Sequence, residues 1–349
     1  MGQQTGHNEG FDLVKGLLAV MVVSIHTVFW TKIPAISFVT TPIVRTAVPI
    51  FFLFSGYFFF RGLNSRPQQD HLKTLKTAVL RYISLYIIWF IPTLPVTLHT
   101  TNYFAHGWQP GLRLFINNLL FGETFFASWY IMALILGVPI IFGLSRLMGN
   151  KMLLMITLAL NFFAVILSNY GLTSLGRSLQ SWVLTWPITI TPALSFLVGL
   201  VWIVIGKMFA DGDLDSLVRH RSLYWAVPAV VLLYGEKLLT HVFHTSAYND
   251  AFFMLIPVCT LLFGWILSTQ WTVPGYKTMR AFSTIAYCFH GSYAIVVRSL
   301  LWTILGISIT KVYQSVLLWL FVLLSSWVLT LFILRAEKVK GLHWLKYSH

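Results

Sequence analysis

Long apolar stretches recur along the whole chain and are separated by short polar connections. Ten of them are close to the ~20 residues that a bilayer requires, and they predict membrane-spanning helices. The predicted spans are 11–30, 44–61, 80–98, 128–146, 151–168, 189–207, 222–240, 250–268, 281–302 and 312–334. The expected fold is all-α, a polytopic membrane protein with about ten transmembrane helices, in a single domain over residues 1–349.

The polar connections predict an orientation. Most of the 24 Lys and Arg residues fall in alternate connections, and basic residues are in excess in cytoplasmic loops. Both termini are therefore expected in the cytoplasm. On the outer side, residues 100–126 are too polar to span a bilayer, yet Leu112, Phe115, Leu119 and Leu120 recur at helical spacing. This spacing predicts an interfacial helix over the outer mouth of the protein.

Composition separates the chain from ordinary soluble enzymes. Hydrophobic residues make up 57% and charged residues 10% of the 349 residues, whereas soluble domains carry about 25% charged residues. The formal net charge of +14 does not indicate nucleic-acid binding, because the basic residues lie in short loops rather than on one polar face. Cys259 and Cys288 lie in apolar segments, where they are expected to act as small packing residues.

The first predicted span contains ionisable residues that are unusual in a membrane segment. Asp12, Lys15 and His26 lie within GFDLVKGLLAVMVVSIHTVFW, residues 10–30. On a helix, Lys15 and His26 share one face, about 20° out of line and ~16 Å apart along the axis. Ionisable groups at such depth mark functional sites by default. Asp12 is expected to pair with Lys15.

His26 is the candidate general base. A neutral imidazole can take a proton from a hydroxyl or an amine as that group attacks an activated acyl carbon. This role needs a buried but reachable position, which the spacing from Lys15 provides. The alternative is a structural histidine that is hydrogen-bonded to a neighbouring helix.

A second candidate feature is the aromatic segment VPIFFLFSGYFFF, residues 48–60, with the basic stretch that follows it. Ser55 and Gly56 interrupt the aromatic run, which allows close approach of a backbone or of a ligand. The excess of basic residues in cytoplasmic loops explains the cations without any ligand. The functional alternative is an anionic cofactor that docks on the cytoplasmic face.

Three segments, in order along the chain, carry a family resemblance. They are Lys15-x10-His26, the segment of residues 48–60, and Ser283-x3-Tyr287-x2-His290. They resemble the Arg-x10-His, V-P-x-F-F-x-x-S-G-Y and late S-x-x-x-Y-x-x-H patterns of the acyltransferase-3 group, the integral membrane enzymes that O-acylate cell-envelope sugars. A weaker match is SWYIMALI, which contains Trp129.

The resemblance implies a reaction and its substrates. It implies an O-acetyltransferase in the bacterial plasma membrane, with cytoplasmic acyl-CoA, acetyl-CoA above all, as the donor. The acceptor would be a carbohydrate or glycolipid of the cell envelope, and membrane lipids would be the other partners. No metal is implied. Lys15 occupies the position of the family arginine, and this substitution puts a bidentate contact to phosphate or carboxylate in doubt.

The resemblance also implies roles for individual residues. His26 would be the catalytic histidine, assisted by Lys15 and Asp12. Ser55 and Gly56 would open room for the acyl chain. Residues expected to bind the donor are Arg61, Lys73, Lys76, Arg81, Ser55, Gly56 and Tyr57. Residues expected to bind the acceptor are His290, Trp129 and Tyr287, although a structural hydrogen bond for His290 and an interfacial anchor for Trp129 are equally compatible with the sequence.

Other functions stay open at this point. A transporter or flippase for a small polar solute, such as an amino acid, would show the same embedded charges, and a structural scaffold is a third alternative. His241 and His244 with Glu236 imitate metal-ligand spacing, but their position at a membrane–water boundary argues against a metal site. Arg298, deep in its span, needs a partner, and Glu236 is the candidate.

Overall fold

The computed structural model describes residues 8–27, 33–121, 124–126, 128–186, 195–248, 250–272 and 274–349. Within these ranges the chain is helical and contains no strand. The helices are α1 (Gly10–Thr27), α2 (Pro34–Val44), α3 (Ala47–Asn64), α4 (His71–Thr101), α5 (Trp108–Phe121), α6 (Trp129–Leu144), α7 (Asn150–Asn169), α8 (Ser174–Val183), α9 (Phe196–Asp211), α10 (Ser222–Val242), α11 (Leu255–Ser268), α12 (Tyr276–Leu305) and α13 (Val312–Ala336).

The helices follow the predicted spans closely. Each predicted span coincides with one helix: α1, α3, α4, α6, α7, α9, α10, α11, α12 and α13. In the described part of the chain, 7 helical segments are long and apolar enough to cross a membrane, and α6 and α11 are shorter apolar helices. The all-α fold is therefore compatible with a polytopic membrane protein. Residues 28–30 and 189–194, which belong to the first and sixth predicted spans, lie outside the described residues.

Some helical structure goes beyond the predicted spans. The helix expected within residues 100–126 is present as α5, but the hydrophobic pattern does not predict α2 or α8. The helix α4 begins at His71 rather than at residue 80, because residues 71–79 contain no glycine or proline to end it. Lys73 and Lys76 therefore lie on a helix, exposed, and not in a loop.

Two groups of helices share one core. In the first group, α9 is central and packs against α3, α6 and α7. In the second group, α1 and α12 pack along each other, and α13 packs against both. The groups meet where α1 contacts α3 and where α4 contacts α6 and α12. Buried aromatic and aliphatic side chains, including Phe52, Ile203 and Ile285, run through both groups.

The contact between α3 and α9 depends on two glycines. A Cβ atom added at Gly56 would lie 2.6 Å from the carbonyl oxygen of Ile203, and one added at Gly206 would lie 2.6 Å from that of Leu53. The two helices therefore approach backbone to backbone, as small residues allow. The prediction that Gly56 opens room for the acyl chain is wrong, because the backbone of α9 fills that space.

Alanine substitutions at Gly56 and at Gly62, both on α3, test this contact. Gly56→Ala is expected to destabilise the protein by about 1–3 kcal/mol, because the added methyl group forces α3 away from α9. Gly62→Ala is the matched control: a Cβ atom there has nothing within 4 Å. The alanine also has the higher helix propensity, so the control is expected to be neutral or stabilised by up to about 1 kcal/mol. Thermal unfolding in detergent measures both, and equal midpoints would contradict the backbone contact.

Candidate active site

Asp12 fixes one end of α1 against α12. Its carboxylate is completely buried and accepts hydrogen bonds from Arg280, at 2.8 Å from Nη2 and 3.1 Å from Nε. Lys15 Nζ lies 4.0 Å from the same carboxylate. The predicted pairing of Asp12 with Lys15 is confirmed, but the closer partner is Arg280. The sequence pattern missed Arg280 because it lies 268 residues further along the chain.

Lys15 faces the aromatic side chains of α3. Its ammonium nitrogen lies 5.0 Å from the ring centroid of Phe54 and 4.6 Å from that of Phe58, which is the range of cation–π attraction. Arg81 is near enough for its charge to act on Lys15. Lys15 and Arg280 therefore lie beside one carboxylate at this end of α1, and Arg81 adds a third positive charge near Lys15. The excess positive charge suits an anionic ligand.

Further along α1, His26 meets His290 of α12. The two ring centroids are 5.1 Å apart and the ring planes are inclined by 30°. The ring of Phe126 is perpendicular to both imidazoles, with its centroid 4.6 Å from that of His26 and 6.2 Å from that of His290. Gly291 makes room for this ring, since a Cβ atom there would lie 2.1 Å from Phe126. Two histidines from widely separated motifs thus form one site.

The hydrogen bond made by His290 decides which of its ring nitrogens can act as a base. Nδ1 lies 2.9 Å from the carbonyl oxygen of Ala286. A carbonyl only accepts, so Nδ1 carries the proton and Nε2 of the neutral ring carries the lone pair. The His290 side chain is completely buried, and its Nε2 has no hydrogen-bond partner in the described part of the chain. It is available to accept a hydrogen bond or a proton from a ligand.

A row of hydroxyl and aromatic groups connects α3 with the histidine pair. The hydroxyl groups of Ser55 and Tyr130 are 2.9 Å apart. The Tyr130 ring lies 5.2 Å from that of Tyr287, which lies 6.1 Å from that of His290. Ser55, Tyr287 and His290, predicted from different motifs, therefore belong to one cluster. Tyr130 of α6 completes it and was missed, because one tyrosine at the start of an apolar helix carries no distinguishing pattern.

The other predicted binding residues make contacts outside this cluster. Arg61 is exposed and donates a 2.8 Å hydrogen bond to the hydroxyl of Tyr57. Lys73 and Lys76 are exposed on the first turns of α4, and no described contact joins them to the histidines. Trp129 packs against Phe52, with ring centroids 5.8 Å apart. Among the predicted cations, the structure thus brings together Lys15 and Arg81.

Arg298 is bound differently from the expectation. Its Nη2 donates to the backbone carbonyl of His26 at 3.4 Å. Glu236 instead accepts from the hydroxyl of Tyr170 and from two backbone N–H groups at the start of α11. The predicted pairing of Arg298 with Glu236 is therefore wrong. Arg298 therefore helps to hold the end of α1 that carries His26 against α12.

Residues 8–335 match the acyltransferase-3 family, described as an acyltransferase domain. The chain therefore belongs to the acyltransferase-3 family, as the sequence motifs predict.

Curated relatives carry a different name. An amino-acid racemase of Enterococcus faecalis is 23% identical over 341 residues, which are 94% of this chain and 46% of the relative. A serine/alanine racemase of Enterococcus gallinarum is 22% identical over 311 residues, 82% of this chain and 41% of the relative. The chain spans less than half the length of these relatives. No solved structure matches the chain.

The ion pair of Asp12 can be tested through its partner. Arg280→Gln is expected to destabilise the protein by roughly 1.5–3 kcal/mol, because it removes charged hydrogen bonds from a buried carboxylate. Lys277→Gln, one turn earlier on α12, is the control and is expected to change little. The double variant Asp12→Asn, Arg280→Gln should be less unstable than the two single effects combined. The pairing would be contradicted if the loss of stability in the double variant, measured by thermal unfolding, equalled the sum of the two single losses.

Proposed function

We propose that this protein is a membrane-bound O-acyltransferase of the bacterial plasma membrane. It transfers an acyl group, acetyl in the simplest case, from cytoplasmic acyl-CoA to a hydroxyl group of a cell-envelope carbohydrate or glycolipid. Membership of the acyltransferase-3 family supports the reaction class. The observation that carries the proposal is the pair formed by His26, which is partly exposed, and His290, which is completely buried, with ring centroids 5.1 Å apart.

The proton transfers are assigned to this pair. His26 takes the proton of the acceptor hydroxyl as the hydroxyl oxygen bonds to the carbonyl carbon of the thioester. The carbon–sulfur bond breaks, and the proton on His26 passes to the CoA thiolate, which leaves His26 neutral again. His290 accepts a hydrogen bond at Nε2 from the hydroxyl or from His26, and so orients the reacting groups. Direct transfer and a covalent acyl-histidine both agree with this arrangement, and ping-pong kinetics would favour the second.

The cationic end of α1 is assigned to the donor. Lys15 and Arg280 lie beside the buried carboxylate of Asp12, and Arg81 acts electrostatically on Lys15. The net positive charge of this group suits the phosphates of CoA. Along α1 this end is ~16 Å from His26. An extended pantetheine arm is long enough to bridge that separation. In this proposal the length of α1 sets the distance between the site that binds the CoA phosphates and His26, where the thioester reacts.

A second candidate function is transport of a small polar solute such as an amino acid. The observation that favours it is the naming of the relatives as amino-acid and serine/alanine racemases. Cationic and imidazole groups inside a helical bundle are as typical of transporters as of enzymes. The two functions differ in one measurable respect, because only the transferase consumes acyl-CoA.

Release of CoA from acetyl-CoA tests the transferase. In lipid vesicles supplied with an envelope carbohydrate fraction, the wild-type protein is expected to release free CoA thiol. His26→Ala is expected to lower the rate by about 10²–10⁴-fold, since it removes the general base. His99→Ala, at an exposed histidine of α4, is the control and should match the wild type. Failure of the wild type both to bind and to turn over acetyl-CoA would contradict the proposal, and CoA-independent uptake of labelled serine would favour transport.

A further inference from the structure

A small cavity lined mainly by apolar side chains, with three polar ones among them, borders α1. Its volume is about 60 Å³, and its wall includes Ile25, the neighbour of His26 on α1. Aromatic surface comes from Trp129 and Trp202, and polar groups come from Arg45, Asn161 and Asp250. Since one water needs about 10–15 Å³ of such space, the cavity can hold several non-hydrogen atoms of a ligand.

Two buried polar atoms in this wall have no hydrogen-bond partner in the described part of the chain. They are the side-chain oxygen Oδ1 of Asn161 and the Nε of Arg45. Asn161 is only 2% exposed. Buried polar atoms are nearly always hydrogen-bonded, and each exception calls for an explanation. Both residues line the same cavity, so one acceptor and one N–H donor without a partner lie in its wall.

The charge of Arg45 is already compensated. Its Nη2 lies 2.5 Å from Oδ1 of Asp250, so the pair is neutral as a whole. An ionic or zwitterionic ligand would have to compete with this pair for its partners. A neutral ligand needs only to accept from Nε of Arg45 and donate to Oδ1 of Asn161, and hydroxyl groups do both.

We propose that this cavity is a subsite for the hydroxyl groups of a neutral polyhydroxyl ligand, and that it positions the carbohydrate acceptor beside His26. The inference deepens the proposed function and rests on it. Arg45 and Asn161 supply the hydrogen bonds, Asp250 holds the guanidinium group, and the tryptophan rings cover the apolar face of the sugar. In this proposal Trp129 binds the acceptor together with residues that the motifs do not include.

Because Oδ1 of Asn161 has no hydrogen-bond partner in the described residues, the proposal predicts how replacing this residue changes the stability of the protein. Asn161→Leu removes a buried acceptor that the protein leaves unpaired, so its unfolding midpoint without ligand is expected to rise by about 2–4 °C. A structural asparagine would give the opposite sign, since its loss would break a hydrogen bond. Asn169→Leu is the control for binding, because Asn169 lies on the same helix, is equally buried and does not line the cavity.

Binding is measured by the shift of the unfolding midpoint of the full-length protein in lipid nanodiscs, titrated with glucose. Glucose is expected to raise the midpoint of the wild type and of Asn169→Leu, since a ligand that binds the folded state stabilises it. The shift should disappear in Asn161→Leu. In Arg45→Lys, which keeps the positive charge but lacks Nε, the apparent affinity should fall about tenfold. This second variant keeps the test decisive if Asn161→Leu does not fold.

Three results would overturn the subsite: no glucose shift in the wild type, an undiminished shift in both cavity variants, or a shift with L-serine in place of glucose. The last would identify a zwitterionic ligand. The measurement needs no acyl-CoA, so it is separable from the proposed reaction. Glucose binding without CoA release would uphold the subsite and count against the transferase. CoA release without glucose binding would support the transferase and overturn the subsite.

Discussion

The burial of Asp12 constrains how α1 sits in the molecule. A carboxylate removed from water must be paired, and the partner that reaches it most closely is Arg280 of α12. This pair fixes the rotation of α1 about its axis, because a shift by one residue would turn the side chain by ~100°. The same rotation brings His26 against His290 further along the two helices. The electrostatic requirement at one end therefore sets the geometry of the candidate catalytic pair.

The second constraint is the contact of α3 with α9. Glycines at positions 56 and 206 let the two backbones meet, and this contact fixes α3 where its aromatic side chains reach α1. Lys15 then lies over Phe54 and Phe58, and Ser55 reaches Tyr130. The small residues of the second motif thus serve the scaffold, whereas the side chains beside them face the candidate site. One short segment combines both roles.

Several buried polar side-chain atoms lack a hydrogen-bond partner in the described part of the chain, and one of them belongs to the histidine pair. Nε2 of His290, Nε of Arg45 and Oδ1 of Asn161 are buried and have no partner in the described residues. Each lowers stability, and natural proteins retain such groups where function needs them. The relatives named as racemases match most of this chain but are about twice its length, so their names describe larger proteins. The reaction of the shared part has to be argued from groups such as these.

The sequence by itself determined the helices and the family. Apolar segments of bilayer length and the motifs around His26, residues 48–60 and His290 are local signals, and the helices and the family match agree with them. The pairing of Asp12 with Arg280, the approach of the two histidines and the cavity between Arg45 and Asn161 were decided by the tertiary structure alone. The physical reason is that these contacts join residues from distant helices. Periodicity shows which face of a helix is polar, but not which helix will lie against it.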